Sequence, residues 1–181
     1  VIEEAHPVPR IKIDTGLHFY YETEGRGDAV LLVQGLDRDH RGMALQMKAL
    51  AGRYQVVSYD ARGIGQSDTP PGPYTCAQLA DDSRGLLKAL GIGKAHLIGA
   101  SLGGHVVQEF AINYPEVTGS IILMCTFARP SMAIRIPLVG MIMLLNPSPQ
   151  VNEKTAVWRV RPSRSARGAI RGIDTAACPE P

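Results

Sequence analysis

The stretch Gly99-Ala100-Ser101-Leu102-Gly103 has the pattern G-x-S-x-G and follows a short apolar run. The residues after it repeat apolar side chains at helical spacing, namely Leu102, Val106, Val107, Phe110, Ala111 and Tyr114. A serine at a sharp turn from a buried strand into a helix is held in a strained backbone conformation, which lifts its hydroxyl clear of the sheet. The pattern predicts a nucleophilic serine at Ser101. The plain alternative is a glycine-rich turn that only packs.

The segments around this stretch predict the fold. Residues 29–33 are a continuous apolar run, typical of a strand covered on both faces. Further buried strands are predicted at 54–59, 95–99 and 120–125, and helical patterns separate the strands. Residues 10–23 alternate as a hairpin does. This order predicts an α/β fold whose doubly wound, mostly parallel sheet is entered through an antiparallel N-terminal hairpin.

Composition excludes several classes of protein. Hydrophobic residues make up 45% of the 181 residues and charged residues 20%, as in soluble globular proteins. A net charge of +2 is too small to indicate a nucleic-acid partner. The longest apolar run, 136–145, is about half the roughly 20 residues that a membrane span needs. The three cysteines lack metal-ligand spacing, which predicts reduced thiols and a cytoplasmic protein.

The character of the sequence changes after about residue 127. We assign residues 1–130 to the core, and residues 131–160, apolar with flanking prolines, to a partial lid or cap over the site. A short helix packed on the body is the alternative for that segment. Residues 161–181 show no periodicity and are rich in Arg, Ser, Ala, Gly and Pro, so we expect them to be disordered.

Three motifs in order resemble those of the α/β-hydrolase superfamily over roughly residues 10–130. The first, Val33-Gln34-Gly35-Leu36, is similar to the strand end that forms the family's oxyanion hole. The second, Asp60-Ala61-Arg62-Gly63-Ile64-Gly65-Gln66-Ser67, is similar to the family's D-x-R-G-x-G-x-S loop. The third, Gly99-Ala100-Ser101-Leu102-Gly103-Gly104, is similar to the family's nucleophile elbow. The hairpin entry and the segment after the elbow are similar to the enol-lactonase-like and esterase-like branch.

The resemblance implies a mechanism. The hydroxyl of Ser101 would attack the carbonyl of a small-molecule ester, lactone or thioester and form an acyl-serine intermediate. The backbone N–H groups of Leu36 and Leu102 would form the oxyanion hole, and Gly35 would let the backbone approach the substrate. No cofactor or metal is implied, because the sequence has no phosphate loop, dinucleotide fingerprint or metal cluster.

Supporting roles follow for three further residues. His40 lies just past the oxyanion motif and could line the substrate pocket. Asp60 and Arg62 would tie their loop together, since the family uses it as a scaffold.

The chain departs from the family's pattern after the elbow. The family's acid and histidine follow the serine on later loops. Here the single later histidine is His105, one turn into the same helix, and the single later aspartate is Asp174. The resemblance therefore implies a sheet that is incomplete on its C-terminal side, with strand 120–125 at its edge. Gln34 also stands where histidine is usual.

These departures leave three hypotheses open. The first is a carboxylic ester or lactone hydrolase in a truncated or frame-disrupted chain, whose activity the missing acid and histidine leave open. The second is a non-catalytic ligand-binding module on the same fold. The third is another chemistry on that fold, such as a cofactor-free haloperoxidase-like reaction. The sequence indicates no oligomeric state.

Overall fold

A computed structural model describes residues 9–127 of the chain. Within this range the elements follow the predicted order of a hairpin and then alternating strands and helices. The strands are β1 (Arg10–Lys12), β2 (His18–Glu24), β3 (Ala29–Val33), β4 (Gln55–Tyr59), β5 (Ala95–Ala100) and β6 (Thr118–Met124); the helices are α1 (Ala44–Leu50), α2 (Cys76–Ala89) and α3 (Leu102–Asn113), with a 3-10 helix (His40–Met43) directly before α1.

The strands form one sheet in the spatial order β1-β2-β4-β3-β5-β6. β3 runs parallel to both β4 and β5, and β5 runs parallel to β6. β1 and β2 pair antiparallel, and β2 pairs antiparallel with β4. The predicted mostly parallel sheet with an antiparallel N-terminal hairpin is confirmed. The carboxyl ends of the parallel strands meet at one end of the sheet, where open α/β sheets bind their ligands.

The central strand β3 is apolar throughout because both of its faces are covered. All five of its residues are buried. Leu31 packs in a cluster with side chains of α2 and α3, whereas Leu32 packs on the other face with Met43 and Met47 of the 3-10 helix and α1. Successive strand residues point to opposite faces, so the sheet is wound by helices on both sides.

The start of α2 follows the capping pattern in the sequence. The backbone N–H of Gln78 donates to the Thr75 hydroxyl at 3.1 Å, and the Thr75 N–H donates to the Gln78 side-chain oxygen at 2.9 Å. This capping box satisfies two N–H groups that would otherwise lack partners. It fixes the helix that carries the buried residue Asp82.

The last described strand differs from its prediction in burial. Within residues 9–127, β6 pairs with β5 on one side and with no strand on the other, which agrees with the predicted edge position. Ile122 is 54% exposed and Leu123 is 37% exposed. The prediction of a buried strand over 120–125 is therefore wrong for this part of the chain, because the described residues cover the faces of β6 only partly.

The two C-terminal segments of the domain plan lie outside the described residues. They are the predicted lid at 131–160 and the predicted disordered tail at 161–181. Both assignments, and the boundary of the core at residue 130, stay predictions.

Candidate active site

The elbow, residues 99–104, joins β5 to α3 at the carboxyl end of the sheet. Ser101 is the single residue between the strand and the helix, with φ 52° and ψ −116°. A β-carbon is disfavoured in this region of backbone space, and a residue held there stores strain. The residue is exposed, and its side chain makes no capping hydrogen bond to α3. The geometry is therefore that of a serine turned outward on a strained bend.

The elbow is held in place by its own backbone and by two neighbouring strands. The Ser101 N–H donates to the carbonyl oxygen of Met124 at the end of β6, at 2.9 Å. The Gly104 N–H donates to the Ser101 carbonyl at 3.0 Å. On the other side, a β-carbon at Gly103 would collide with the carbonyl oxygens at the end of β3, which are those of Val33 and Gln34. The start of α3 is thus wedged between β3 and β6.

The β3 loop, residues 34–39, passes directly in front of the serine. A β-carbon added to Gly35 would lie 3.3 Å from the Ser101 β-carbon and 3.9 Å from its hydroxyl oxygen. A side chain at position 35 would therefore be tightly packed against Ser101, while the predicted role of Gly35 in the approach of the backbone to substrate stays a prediction. Leu36 follows in the same loop and is half-buried. The structure thus brings the loop that carries Leu36 up to Ser101.

The second proposed donor, Leu102, is the first residue of α3. The first N–H groups of a helix have no acceptor within the helix, and the aligned peptide dipoles give this end a partial positive charge. With 12 residues, α3 is long enough for that dipole to develop. An anion formed at Ser101 would therefore be stabilised by the N-terminal end of α3.

His40 occupies a different environment from the one expected of a pocket-lining residue. It is 9% exposed. Its ring Nδ1 lies 2.7 Å from an oxygen of Asp60, and its Nε2 lies 3.3 Å from an oxygen of Glu22. Its ring also packs on Tyr20, with the ring centroids 4.6 Å apart. Because both ring nitrogens already face carboxylates, this geometry favours a structural role over contact with substrate.

Arg62 ties its loop to α2, as the sequence predicts of a scaffold residue. Its guanidinium donates to both carboxylate oxygens of Asp82, with one contact at 2.6 Å. Burial raises the pKa of the Asp82 carboxyl, and Arg62 works against that shift by stabilising the charged form. The guanidinium also lies over the ring of Tyr74, 5.6 Å from its centroid.

The other histidines of the described residues each face a partner other than Ser101. His105 is half-buried on α3, its ring 4.7 Å from that of Phe127, and burial lowers the pKa of its imidazole. His18 contacts Asp68 through Nδ1 at 3.2 Å. His96 lies 2.7 Å from the hydroxyl of Ser120, at the opposite end of β5 from the elbow.

Neither a metal site nor a membrane span is found among residues 9–127. No group of three or more His, Cys, Asp or Glu side chains in this range could hold a metal ion. No helix in the same range combines the length and the apolar character needed to cross a bilayer.

Comparison with known proteins places this geometry in a family. The family model of the α/β hydrolase fold matches residues 28–169. The chain belongs to the α/β-hydrolase fold family. Among curated proteins, this α/β hydrolase is similar to a putative carbamate hydrolase, RutD, of Caulobacter segnis. The two are 39% identical over 121 residues, which are 66% of this chain and 45% of the relative.

Solved structures give the same fold. An esterase from Thermogutta terrifontis superposes with a TM-score of 0.66 and 32% identity, over 77% of this chain and 54% of its own. The enol-lactonase from Burkholderia xenovorans LB400 superposes with a TM-score of 0.68 and 29% identity, over 76% and 54%. This α/β hydrolase thus spans about half the length of the relatives it matches.

Two features near the site were not predicted from the sequence. Asp37, one residue after Leu36, has a left-handed backbone with φ 57°. The residue type was a weak signal for it, since aspartate adopts this conformation more often than most residues do. The attachment of His40 to Asp60 was also missed. A signal existed for it, because an aspartate at the end of a buried strand requires hydrogen-bond donors around it.

Proposed function

We propose that this chain carries the nucleophile and the oxyanion-binding amides of a serine hydrolase that cleaves a small-molecule carboxylic ester or lactone. The observation that carries the proposal is the setting of Ser101. Its hydroxyl is on an exposed, strained bend, faces the glycine of the β3 loop, and stands at the N-terminus of a 12-residue helix. These are the requirements for attack on a carbonyl whose oxygen becomes negatively charged.

The reaction would proceed in two stages. The Ser101 oxygen attacks the carbonyl carbon, and its proton passes to a general base. The backbone N–H groups of Leu36 and Leu102 stabilise the negative oxygen of the tetrahedral intermediate. The bond to the leaving alcohol then breaks, and the alcohol takes up the proton. Water attacks the acyl-serine in the same way and releases the acid.

The general base of this mechanism lies, in our proposal, outside residues 9–127. Each of the four histidines in that range already faces another group: His18, His40, His96 and His105. A serine hydroxyl without a base is a weak nucleophile at neutral pH. We therefore expect slow turnover whenever the base is missing. Reaction of Ser101 with strongly activated reagents should then also be slow, but still faster than that of an ordinary surface serine, because the oxyanion-binding amides remain.

The relatives support a reaction at an acyl carbon that bears a heteroatom. The names of the structural neighbours are those of an esterase and an enol-lactonase, which supports an ester or lactone substrate here. The 39% identity to a putative carbamate hydrolase favours a carbamate as the second candidate. The cytoplasmic location stays a prediction from the cysteine content.

The proposal is tested by labelling with a fluorophosphonate, which phosphonylates activated serines. The new bond joins the Ser101 oxygen to phosphorus, fluoride leaves, and the hydroxyl proton goes to solvent. We expect peptide mass spectrometry of the 181-residue chain to find the label on Ser101, and Ser101→Ala to remove it. Hydrolysis of 4-nitrophenyl acetate, a phenyl carbamate and an enol lactone then ranks the substrate classes.

Ser120 provides an internal control for this experiment. It is exposed, and its hydroxyl lies 2.7 Å from a ring nitrogen of His96, but it lies in a regular strand away from the elbow. A label that reaches Ser120 as fast as Ser101 would overturn the proposal, since ordinary surface reactivity would then explain the result. Ligand binding that Ser101→Ala leaves intact, with no labelling of Ser101, would favour a non-catalytic binding module instead.

A further inference from the structure

The position of the β3 loop is set from its far end. At its near end the loop continues from β3. At its far end it enters the 3-10 helix at His40, four residues after Leu36. The proposed oxyanion donor Leu36 therefore lies between two attachment points. The contacts that hold His40 in place therefore also set the distance between the Leu36 amide and Ser101.

His40 is attached through both its backbone and its ring. Its backbone N–H donates to an Asp60 carboxylate oxygen at 2.7 Å, and ring Nδ1 contacts the same oxygen at 2.7 Å. Its carbonyl accepts a hydrogen bond from the hydroxyl of Ser58 at 2.9 Å and one from the side-chain amide of Gln34 at 3.4 Å. The last contact closes the β3 loop on itself, because Gln34 is the first residue of that loop.

The partners of His40 are themselves fixed to the sheet. Asp60 is fully buried, and its second carboxylate oxygen accepts the backbone N–H of Gln66 at 2.8 Å. Glu22 lies on β2, where it accepts the Tyr20 hydroxyl at 2.7 Å, and this bond, together with burial, raises the pKa of Tyr20 to about 12. His40 therefore connects the loop to Glu22 on β2 and to Asp60 directly after β4, and neither of these strands is next to β5 in the sheet.

The chemistry of the imidazole suits this connection. The ring carries a nitrogen at each end of a flat, rigid frame, so one side chain reaches two carboxylates on opposite sides. An asparagine places its amide nitrogen close to the position of Nδ1 and can keep the contact to Asp60 only. A phenylalanine keeps the volume and the packing on Tyr20 but has no polar atom.

We propose that His40 is the positioning residue of the oxyanion hole, holding the β3 loop so that the Leu36 amide faces Ser101. His40 does not touch the reacting atoms in this role. This inference rests on the proposed function, because the β3 loop can serve as an oxyanion hole only if Ser101 is a nucleophile.

The test measures fluorophosphonate labelling of Ser101 in the 181-residue chain as two constants, the binding constant KI and the maximal rate kinact. We expect His40→Phe to lower kinact about 10- to 100-fold and to leave KI within about twofold, because a misplaced donor weakens the transition state more than probe binding. His40→Asn should recover most of the lost rate. The matched control is His96→Gln, a histidine on the same sheet at the end away from the elbow, which should keep the rate of the unaltered chain.

The outcomes separate this inference from the function on which it rests. If Ser101 of the unaltered chain is not labelled, the proposed function fails and the inference fails with it. If Ser101 is labelled and His40→Phe has the same kinact, the serine chemistry stands and the positioning role is wrong. A purely structural role would lower the fraction of chain that can be labelled, without changing kinact of the folded fraction or allowing rescue by asparagine.

A second variant covers the case in which His40→Phe does not fold. Glu22→Ala removes one of the two ring partners at a side chain that is 42% exposed, so the core is left in place. We expect it to lower kinact about 3- to 10-fold through a looser loop. An unchanged kinact in a folded Glu22→Ala chain would overturn the inference.

Discussion

Gly35 and Ser101 follow different strands, yet they lie so close together that a side chain on Gly35 would contact Ser101. A methyl group on Gly35 would lie 3.3 Å from the Ser101 β-carbon, and 3.4 Å from the carbonyl oxygen of the preceding residue, Ala100. The β3 loop and the elbow therefore fix each other's position. Any change on one side is transmitted directly to the other.

Gly35→Ala is expected to slow labelling of Ser101 without unfolding the protein. The added methyl must displace the β3 loop by a few tenths of an ångström or more, and misplaced donors cost about 10- to 100-fold in rate. The measurement is kinact with a fluorophosphonate. Gly93→Ala is the matched control, because a β-carbon there meets no atom within 4 Å. Equal rates for the two variants would show that the close approach has no role in reactivity.

Ser101→Gly is expected to stabilise the fold. Glycine adopts φ 52° without the steric cost that a β-carbon brings, and this gain exceeds the added entropy of the unfolded chain. We expect the free energy of unfolding in urea to rise by about 1 kcal/mol, whereas Ser101→Ala, which keeps the β-carbon, should change it by less than about 0.5 kcal/mol. A lower stability for the glycine variant than for the alanine variant would contradict the presence of strain at the elbow.

Arg62→Leu is expected to destabilise the fold by about 3 kcal/mol at neutral pH, because it leaves the Asp82 carboxylate buried without a counter-charge. The loss should shrink as the pH falls. Burial already raises the pKa of Asp82, and without Arg62 nothing offsets that shift. An acid with a raised pKa in the folded state binds its proton more tightly there, so the free energy of unfolding increases as the pH is lowered through that pKa.

The double variant Arg62→Leu with Asp82→Asn tests the origin of that pH dependence. It removes the titrating group, so the rise in urea stability from pH 7 to pH 5 should be smaller than in the single variant. If the single and double variants keep the same slope with pH, the slope does not come from Asp82.

The two described cysteines should differ sharply in reactivity. Cys125 is exposed, while Cys76 is buried, and burial raises the pKa of its thiol to about 12. Iodoacetamide at pH 8 should alkylate Cys125 about 100-fold faster than Cys76 in the folded chain. Peptide mapping by mass spectrometry follows each site separately. In urea the two rates should converge, and a difference that persisted there would rule out burial as its cause.

Much of the fold is predictable because burial leaves a direct mark on the sequence. The all-apolar run at 29–33 and the alternation over 10–23 each report which faces are covered. The capping pair Thr75 and Gln78 is equally local, since it depends on residues three apart. The run at 120–125 predicts its element but not its burial, because exposure at an edge depends on neighbouring elements.

In the candidate site, too, the features that depend on local sequence are predictable and those that depend on tertiary contacts are not. The elbow is recognisable from the sequence because its strain demands small residues around Ser101. The contacts of His40 join residues 18 and 20 positions apart along the chain, and no local pattern records them. The same holds for Arg62 and Asp82, which meet only because α2 packs beside the loop after β4. Hydrogen-bond and ion-pair partners that are brought together only by tertiary packing cannot be predicted from local sequence patterns.

The bend at residue 101 is maintained by main-chain atoms, and the side chain it presents takes no part in holding it. The Met124 carbonyl accepts a hydrogen bond from the Ser101 N–H on one side, and the start of α3 packs against the end of β3 on the other. The side chain of Ser101, which is the proposed reacting group, can therefore be exchanged without loss of the contacts that hold the bend. In proteins with such a bend, a single codon change can replace the side chain at this position and so change the chemistry, with little change to the rest of the fold.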